Sequence, residues 1–197
     1  MNTVFFDIDS QLDFLFPAGA LYVPGAERIV PAIARLNRFA AAHGIPVVST
    51  TDAHAEDDPE FSRWPPHCVS GTMGQRKADA TLLDGRVVVP NRDCALALEG
   101  ARQIVVEKQT VDVFQSVNIH RILEQLNAAS YVVYGVVTEI CVLCAVRGLL
   151  RTGRPVTVVT DAVETLKAED SVRALAEMCA SGARLATTAE ICEGGRG

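Results

Sequence analysis

Short apolar runs alternate with segments of helical period along this chain. Residues 3–8 (TVFFDI) have the β-branched and aromatic content of a strand, with Asp9 at its carboxyl end. The pattern returns at 46–51 before Asp52, at 103–106 before Lys108, at 131–134 (YVVY) and at 155–160 before Asp161. A last short strand is expected at 183–186. Between these runs lie helical patterns. Residues 26–43 place Ile29, Ile33, Leu36 and Phe39 on one face and stop at Gly44, and 119–129 and 169–181 repeat the period. Residues 140–150 are mostly apolar and end in Arg151, Thr152 and Gly153, a basic last turn before a stop. Gly135 is expected to break the strand before that helix, leaving 136–139 as a short turn. Pro17, Gly19, Pro24 and Gly25 mark 11–25 as a loop. Residues 77–98 fit neither period, 87–89 being their one strand-like run. Residues 53–75 are long, polar and without period, the mark of a functional loop. The final GGRG is expected to fray.

Buried strands separated by helices imply a parallel sheet covered on both faces, an α/β fold built as a three-layer α/β/α sandwich. No repeat or linker divides the chain, so one domain is expected over residues 1–197. Right-handed crossovers align the strand carboxyl ends on one edge, and ligands sit outside those ends. Asp9, Asp52, Lys108 and Cys141 each follow a different strand at that edge.

Composition narrows the partners. The chain of 197 residues is 49% hydrophobic and 21% charged, enough for one sizeable core. A formal net charge of −6 argues against nucleic acid or an anionic membrane as partner. The first residues, MNTVFFDIDSQ, lack the basic and apolar regions of a targeting segment, and no apolar stretch reaches the ~18 residues of a membrane span. Six cysteines without an export signal read as reduced cytoplasmic thiols.

Cys141 stands in the first turn of a helix fed directly by a strand. Uncommitted N–H groups and the positive end of the helix dipole there favour a thiolate below the usual pKa of ~8.5, and offer a site for an oxyanion. The plain alternative, a small core residue, is outweighed by this strand–turn–helix setting. Cys141 and Cys144 also form a C-x-x-C pair, as in thiol–disulfide enzymes. That reading leaves Asp9 and Lys108 idle and puts Cys144 inside an apolar helix. A silent binding protein is likewise disfavoured by the three residues together. Asp9 is placed to take the thiol proton and hand it to a leaving amine, and Lys108 to attract developing negative charge. Asp7, two residues earlier on the same strand face, lies further from the rim. Asp52, His54, Glu60 and His67 offer mixed nitrogen and oxygen ligands within one loop. That set suits one divalent metal ion, zinc first, with manganese or iron as alternatives. Turn capping and solvation are the plain roles for the same residues. Cys68 adjoins His67 in an extended segment and is expected to point elsewhere.

These residues resemble the nicotinamidase/isochorismatase-like cysteine hydrolase family over nearly the whole chain. The family's opening D-x-Q-x-D-F stands as Asp9, Gln11, Asp13 and Phe14, followed by Pro17, Gly19 and Leu21. Its lysine matches Lys108, and its G-x-x-T-x-x-C turn matches Gly135, Thr138 and Cys141. Asp52 with His54, and the run from Trp64 through His67 to Thr72, resemble the metal loop of the nicotinamidase branch. The resemblance implies a six-stranded, mainly parallel, Rossmann-like sheet and an Asp9–Lys108–Cys141 triad. It implies an oxyanion hole from the N–H groups of Val137 and Cys141, after a non-proline cis peptide. Asp52, His54, Glu60 and His67 would hold the metal, and Phe14 and Trp64 would flank the substrate ring. The activity implied is a metal-containing cysteine amidohydrolase, a cytoplasmic homo-oligomer converting nicotinamide to nicotinate and ammonia in NAD salvage through a thioester on Cys141. The rival is a hydrolase of another small amide, ureide or carbamoyl compound. Leu12, Ile140 and the Gln109-Thr110-Val111-Asp112-Val113-Phe114 run depart from the nicotinamidase pattern at positions expected to border the pocket.

Overall fold

A computed structural model describes residues 2–194. Along them run β1 (Thr3–Ile8), α1 (Leu12–Leu15), α2 (Val30–Ala42), β2 (Val47–Asp52), β3 (Arg86–Val89), β4 (Gln103–Lys108) and α3 (Ile119–Leu126). Then follow β5 (Ser130–Val136), α4 (Leu143–Leu150), β6 (Val156–Glu164), α5 (Ala168–Ala180), β7 (Arg184–Ala186) and α6 (Thr188–Glu193). Among the described residues seven strands form one sheet, ordered β3-β4-β2-β1-β5-β6-β7, with every neighbouring pair parallel. The expected six strands become seven because residues 86–89 pair with β4 as an edge. Arg86 and Val88 are exposed there, so the strand carries little of a buried run's signal.

Alternate residues of the central strands feed two apolar cores. Val4, Phe6, Ile8 and Val133 pack with Ile119, Val146, Leu149 and Met178 of α3, α4 and α5. Phe5, Val47, Val132 and Tyr134 pack with Ile33, Leu36 and Ile191 of α2 and α6. The helices thus cover both faces in a three-layer α/β/α sandwich. The chain leaves β1 toward β2 on one side and takes up β5 on the other, which puts the topological switch point between β1 and β5.

Several boundaries differ from those the sequence suggests. β5 continues through Gly135 to Val136. Gly135 has a φ of 120°, and a Cβ there would lie 2.0 Å from the Ile8 carbonyl oxygen, so only glycine lets β1 and β5 approach at this point. The helix expected at 140–150 is two pieces, a wide π-helical turn over Thr138–Val142 and then α4. A 3-10 turn at Ala26–Ile29 precedes α2, and Pro31 stands in the first turn of α2. α3 stops at Leu126 because Asn127 turns left-handed. β6 runs past Asp161, whose carboxylate accepts from the N–H and hydroxyl of Thr188 and holds the start of α6. A Thr187–Glu190 capping box sets α6, an element without a periodic signal. Gly194 closes that helix, and the rest of the tail expected to fray lies outside the described residues. No helix of the described residues is long and apolar enough to cross a membrane.

Beneath the carboxyl edge a charged pair is fully buried. Asp7 Oδ2 accepts from the Ser49 hydroxyl at 3.0 Å and from Asn37 Nδ2 at 3.2 Å, and Lys77 Nζ lies 3.5 Å away. Lys77 also donates to the Thr50 carbonyl at 2.9 Å, tying the return of the long loop to β2. Removing one member of such a pair leaves its partner's charge uncompensated in the core. Lys77→Met is expected to lower the unfolding free energy by about 3–5 kcal/mol in urea titrations. Asp7→Asn combined with Lys77→Met should recover much of that loss. Wild-type stability in the single variant would show that the pair does not clamp the loop.

Candidate active site

Four strand ends meet around the switch point. Asp9, just after β1, has a φ of 49°, and this left-handed backbone turns its side chain to Thr50, whereas Asp7 bonds to Ser49. The two carboxylates therefore do not share a face as simple alternation suggests. The Thr50 hydroxyl donates to Asp9 Oδ1 at 2.5 Å, and the Asp9 N–H donates to Thr50 Oγ1 at 3.1 Å. Lys108, the last residue of β4, places Nζ 2.9 Å from Asp9 Oδ2, against Asp52 Oδ1, and 3.9 Å from Cys141 Sγ. Exposure is 1% for Asp9 and Lys108, 5% for Asp52 and 8% for Cys141, so all four are largely withdrawn from bulk water. Burial alone would lower the Lys108 pKa, but the Asp52 and Asp9 carboxylates outweigh it and hold the ammonium well above its usual range. For Cys141 burial wins. It pushes the thiol well above its ordinary value, Lys108 pulls it back, and the Asp9 and Asp52 charges push it up again. The lowered thiol expected from the helix dipole is corrected accordingly: a partial charge at a helix end does not replace the water lost.

The turn that carries Cys141 is tied down on both sides. The Val137 carbonyl accepts from the N–H groups of Ile140 and Val142 at 3.0 and 3.1 Å. The Thr138 hydroxyl donates to the Glu164 carbonyl at 2.8 Å. The Val136–Val137 peptide is cis, and the Val137 N–H has no acceptor among the described residues.

Beside the thiol lies a second cluster. Asp52, His54 and His67 are all buried, with donor atoms within 4.8 Å of one another. Asp52 Oδ2 is 4.0 Å from His54 Nε2 and 3.9 Å from His67 Nε2, and Glu60 Oε2 is 3.9 Å from His54 Nε2. The other nitrogen of each ring faces an acceptor: His67 Nδ1 lies 2.8 Å from the Pro65 carbonyl, and His54 Nδ1 lies 2.9 Å from Asp58 Oδ2 without hydrogen-bond geometry. Both rings thus turn Nε2 toward Asp52. His54 Nε2 is buried without a hydrogen-bond partner, a loss that a metal ion would cancel. Asp52, His54 and His67 thus gather their donor atoms around one small site. Burial drives Asp52 up to about 6, with Lys108 opposing and Asp9 adding to the rise, so this carboxylate is short of positive charge. Burial and the Asp52 charge raise Glu60, and burial lowers His67 toward the neutral, ligating form. The donor set fits one divalent cation.

A pocket opens over Cys141, with Asp52, Glu60 and His67 of the donor set in its lining. Phe14, Trp64, Val137 and Ile140 line it, as does Val111 of the run after Lys108. Leu12 does not; it opens α1 and faces an outer groove with Phe16, Val30 and Met73. Cys68 points its sulfur toward the Gly74 carbonyl, 4.0 Å away. Three supporting residues were not legible in these roles. Gln11 binds both the N–H and the carbonyl of Asp52 at 2.7 and 2.9 Å and reaches the Gln75 carbonyl at 2.8 Å. Asp13 accepts from the N–H groups of Cys68 and Ala20 at 2.7 and 2.9 Å. Asp58 turns His54, and its only sequence signal is a spacing of four from that histidine.

Comparison with known proteins gives a coherent result. The Isochorismatase domain model matches residues 3–190. The chain is 27% identical to the nicotinamidase of Escherichia coli over 93% of each chain. It is 30% identical to the nicotinamidase/pyrazinamidase of Mycobacterium tuberculosis, covering 87% of this chain and 91% of that one. Among solved structures, the pyrazinamidase of Pyrococcus horikoshii in complex with zinc superposes with a TM-score of 0.79 at 28% identity, covering 95% of this chain and 99% of that one.

If Asp58 orients a ligating histidine, Asp58→Ala should weaken Zn²⁺ binding by about 10- to 100-fold in competition with a chromophoric chelator. Asp52→Ala should weaken it further. Equal affinity in Asp58→Ala and wild type would remove Asp58 from the site.

Proposed function

The chain belongs to the isochorismatase family, and from that membership and the site's geometry we propose that it is a metal-containing cysteine amidohydrolase that converts nicotinamide to nicotinate and ammonia. The observation that carries this reading is a thiol, with a buried carboxylate and ammonium beside it, at a pocket that Asp52, Glu60 and His67 of the donor set also line. In this reading Asp9 takes the proton of Cys141 as the sulfur attacks the carboxamide carbon. The N–H groups of Val137 and Cys141 receive the oxygen that gains charge. Asp9 returns the proton to the departing nitrogen, ammonia leaves, and a water activated by Asp9 opens the thioester to give nicotinate and the free thiol. Lys108 holds Asp9 toward the sulfur and offsets the charge that develops.

Asp52, His54, Glu60 and His67 would hold one divalent ion, with zinc suggested by the zinc-bound relative. When bound, that ion would ligate the ring nitrogen and so orient the substrate. Phe14 and Trp64 would flank the ring. Ureido and carbamoyl acids fit less well: the lining includes the carboxylates of Asp52 and Glu60, and the nearby Lys108 already serves Asp9 and Asp52. Another uncharged amide is the second reading, favoured by Ile140 and Val111, which depart from the nicotinamidase pattern and line the pocket. The proposal includes a cytoplasmic homo-oligomer serving NAD salvage, in keeping with six free cysteines.

Ammonia release from nicotinamide, with Zn²⁺, Mn²⁺ or Fe²⁺ supplied, tests substrate and nucleophile together. Cys141→Ala is expected to lose at least about 10³-fold in kcat while still binding nicotinamide. Normal turnover in that variant would end the thioester mechanism.

A further inference from the structure

Thr50 stands in β2 two residues before Asp52, and it neither lines the pocket nor belongs to the donor set. It is fully buried, and its hydroxyl makes two bonds to a single residue. The Asp9 N–H donates to Thr50 Oγ1 at 3.1 Å, and Oγ1 donates to Asp9 Oδ1 at 2.5 Å. Because a lone pair already receives the N–H, the one hydroxyl proton is left to the carboxylate. The Thr50 carbonyl accepts from Lys77 Nζ at 2.9 Å, so the backbone that carries this hydroxyl is tied in place as well. These bonds make the two Asp9 oxygens unequal. Oδ1 is spent on Thr50. Oδ2 is buried and has no partner in hydrogen-bond geometry among the described residues. It lies 2.9 Å from Lys108 Nζ, and the same nitrogen is 3.9 Å from Cys141 Sγ, so Oδ2 and the sulfur flank one ammonium.

We propose that Thr50 is a positioning residue for the base: it occupies Oδ1 and so keeps Oδ2 as the atom that receives the proton of Cys141. In that step the S–H bond breaks, an O–H bond forms at Oδ2, and the electron pair stays on sulfur to attack carbon. Without the hydroxyl the carboxylate is free to rotate and give both oxygens to Lys108, and the sulfur loses its acceptor. The proposal rests on the amidohydrolase reading and deepens it, since that reading hands the proton to Asp9 without choosing between its oxygens.

Alkylation of the thiol tests this without turnover. The purified full chain, with Zn²⁺ supplied, is treated with iodoacetamide. Peptide mass spectrometry then follows modification of Cys141 against that of Cys179, an exposed thiol. Thr50→Val keeps the shape and loses the hydroxyl, whereas Thr50→Ser keeps the hydroxyl and loses a methyl. Thr50→Val is expected to slow Cys141 about tenfold or more relative to Cys179, as Asp9→Asn does, while Thr50→Ser stays within about threefold of wild type. Thr50→Ala takes the place of Thr50→Val if the valine variant does not fold. A packing role gives the reverse order, because serine leaves a cavity. That order, or equal rates in all Thr50 variants, overturns the proposal. So does a loss of Zn²⁺ affinity in Thr50→Val that matches its loss in alkylation, since the effect then runs through Asp52. Asp9→Asn alkylated as fast as wild type overturns the proposal together with the base of the amidohydrolase reading. The expected order of rates in a protein that releases no ammonia from nicotinamide supports the positioning of Asp9 and overturns the nicotinamide reading alone.

Discussion

A lysine ammonium with 1% of its surface exposed is tolerated only where carboxylates replace the water it has lost, and Lys108 finds two, Asp9 and Asp52. That requirement reaches through the fold. Lys108 ends β4, Asp52 ends β2 directly opposite it in register, and Asp9 follows β1, the next strand over. β5 is the strand after that, and it leads into the turn of Cys141. A register slip of one residue in any of these strands would turn a charge into the apolar core. Asp52 also gives the cluster a second half: Oδ1 faces Lys108 while Oδ2 faces His54 and His67. One carboxylate thus couples the thiol's environment to the candidate metal-donor set.

Around this centre the loops are held by polar side chains that each take up the backbone of another segment. Gln11 grips Asp52 and Gln75, Asp13 grips Cys68 and Ala20, and Glu139 grips Leu166. Each bond satisfies a backbone group that lacks a ladder or helix partner at that point. The long loop at 53–75 is thereby tied to the segment that follows β1, which suits a candidate donor set spread over sixteen positions.

The strand ends that carry Asp9, Asp52, Lys108 and Cys141 were legible because buried parallel strands write themselves as unbroken apolar runs. β3 was faint because half of it faces solvent, and α6 because its definition lies in a capping box and not in a period. Gly135 misled, since a glycine marks a strand end and a close backbone approach with the same letter, and only the neighbouring Ile8 carbonyl distinguishes them. Asp7 and Asp9 misled for a related reason: alternation fails at the residue whose backbone turns left-handed. Apart from the Asp13 bond to Ala20, the roles of Gln11, Asp13 and Glu139 depend on partners 26 to 64 residues away, such as Leu166 and Gln75, and local pattern does not encode those.

The pKa of Cys141 shows how local and global effects compete at this site. The strand–turn–helix setting favours a thiolate, but the wide turn places the sulfur in a pocket where apolar walls and two carboxylates raise the thiol instead. The apolar walls also strengthen the charge interactions among Asp9, Lys108 and the sulfur, since less water remains to screen them. In the proposed reaction the sulfur is therefore not a standing anion waiting for substrate. It becomes nucleophilic as its proton passes to Asp9, a transfer between two groups that are themselves withdrawn from water.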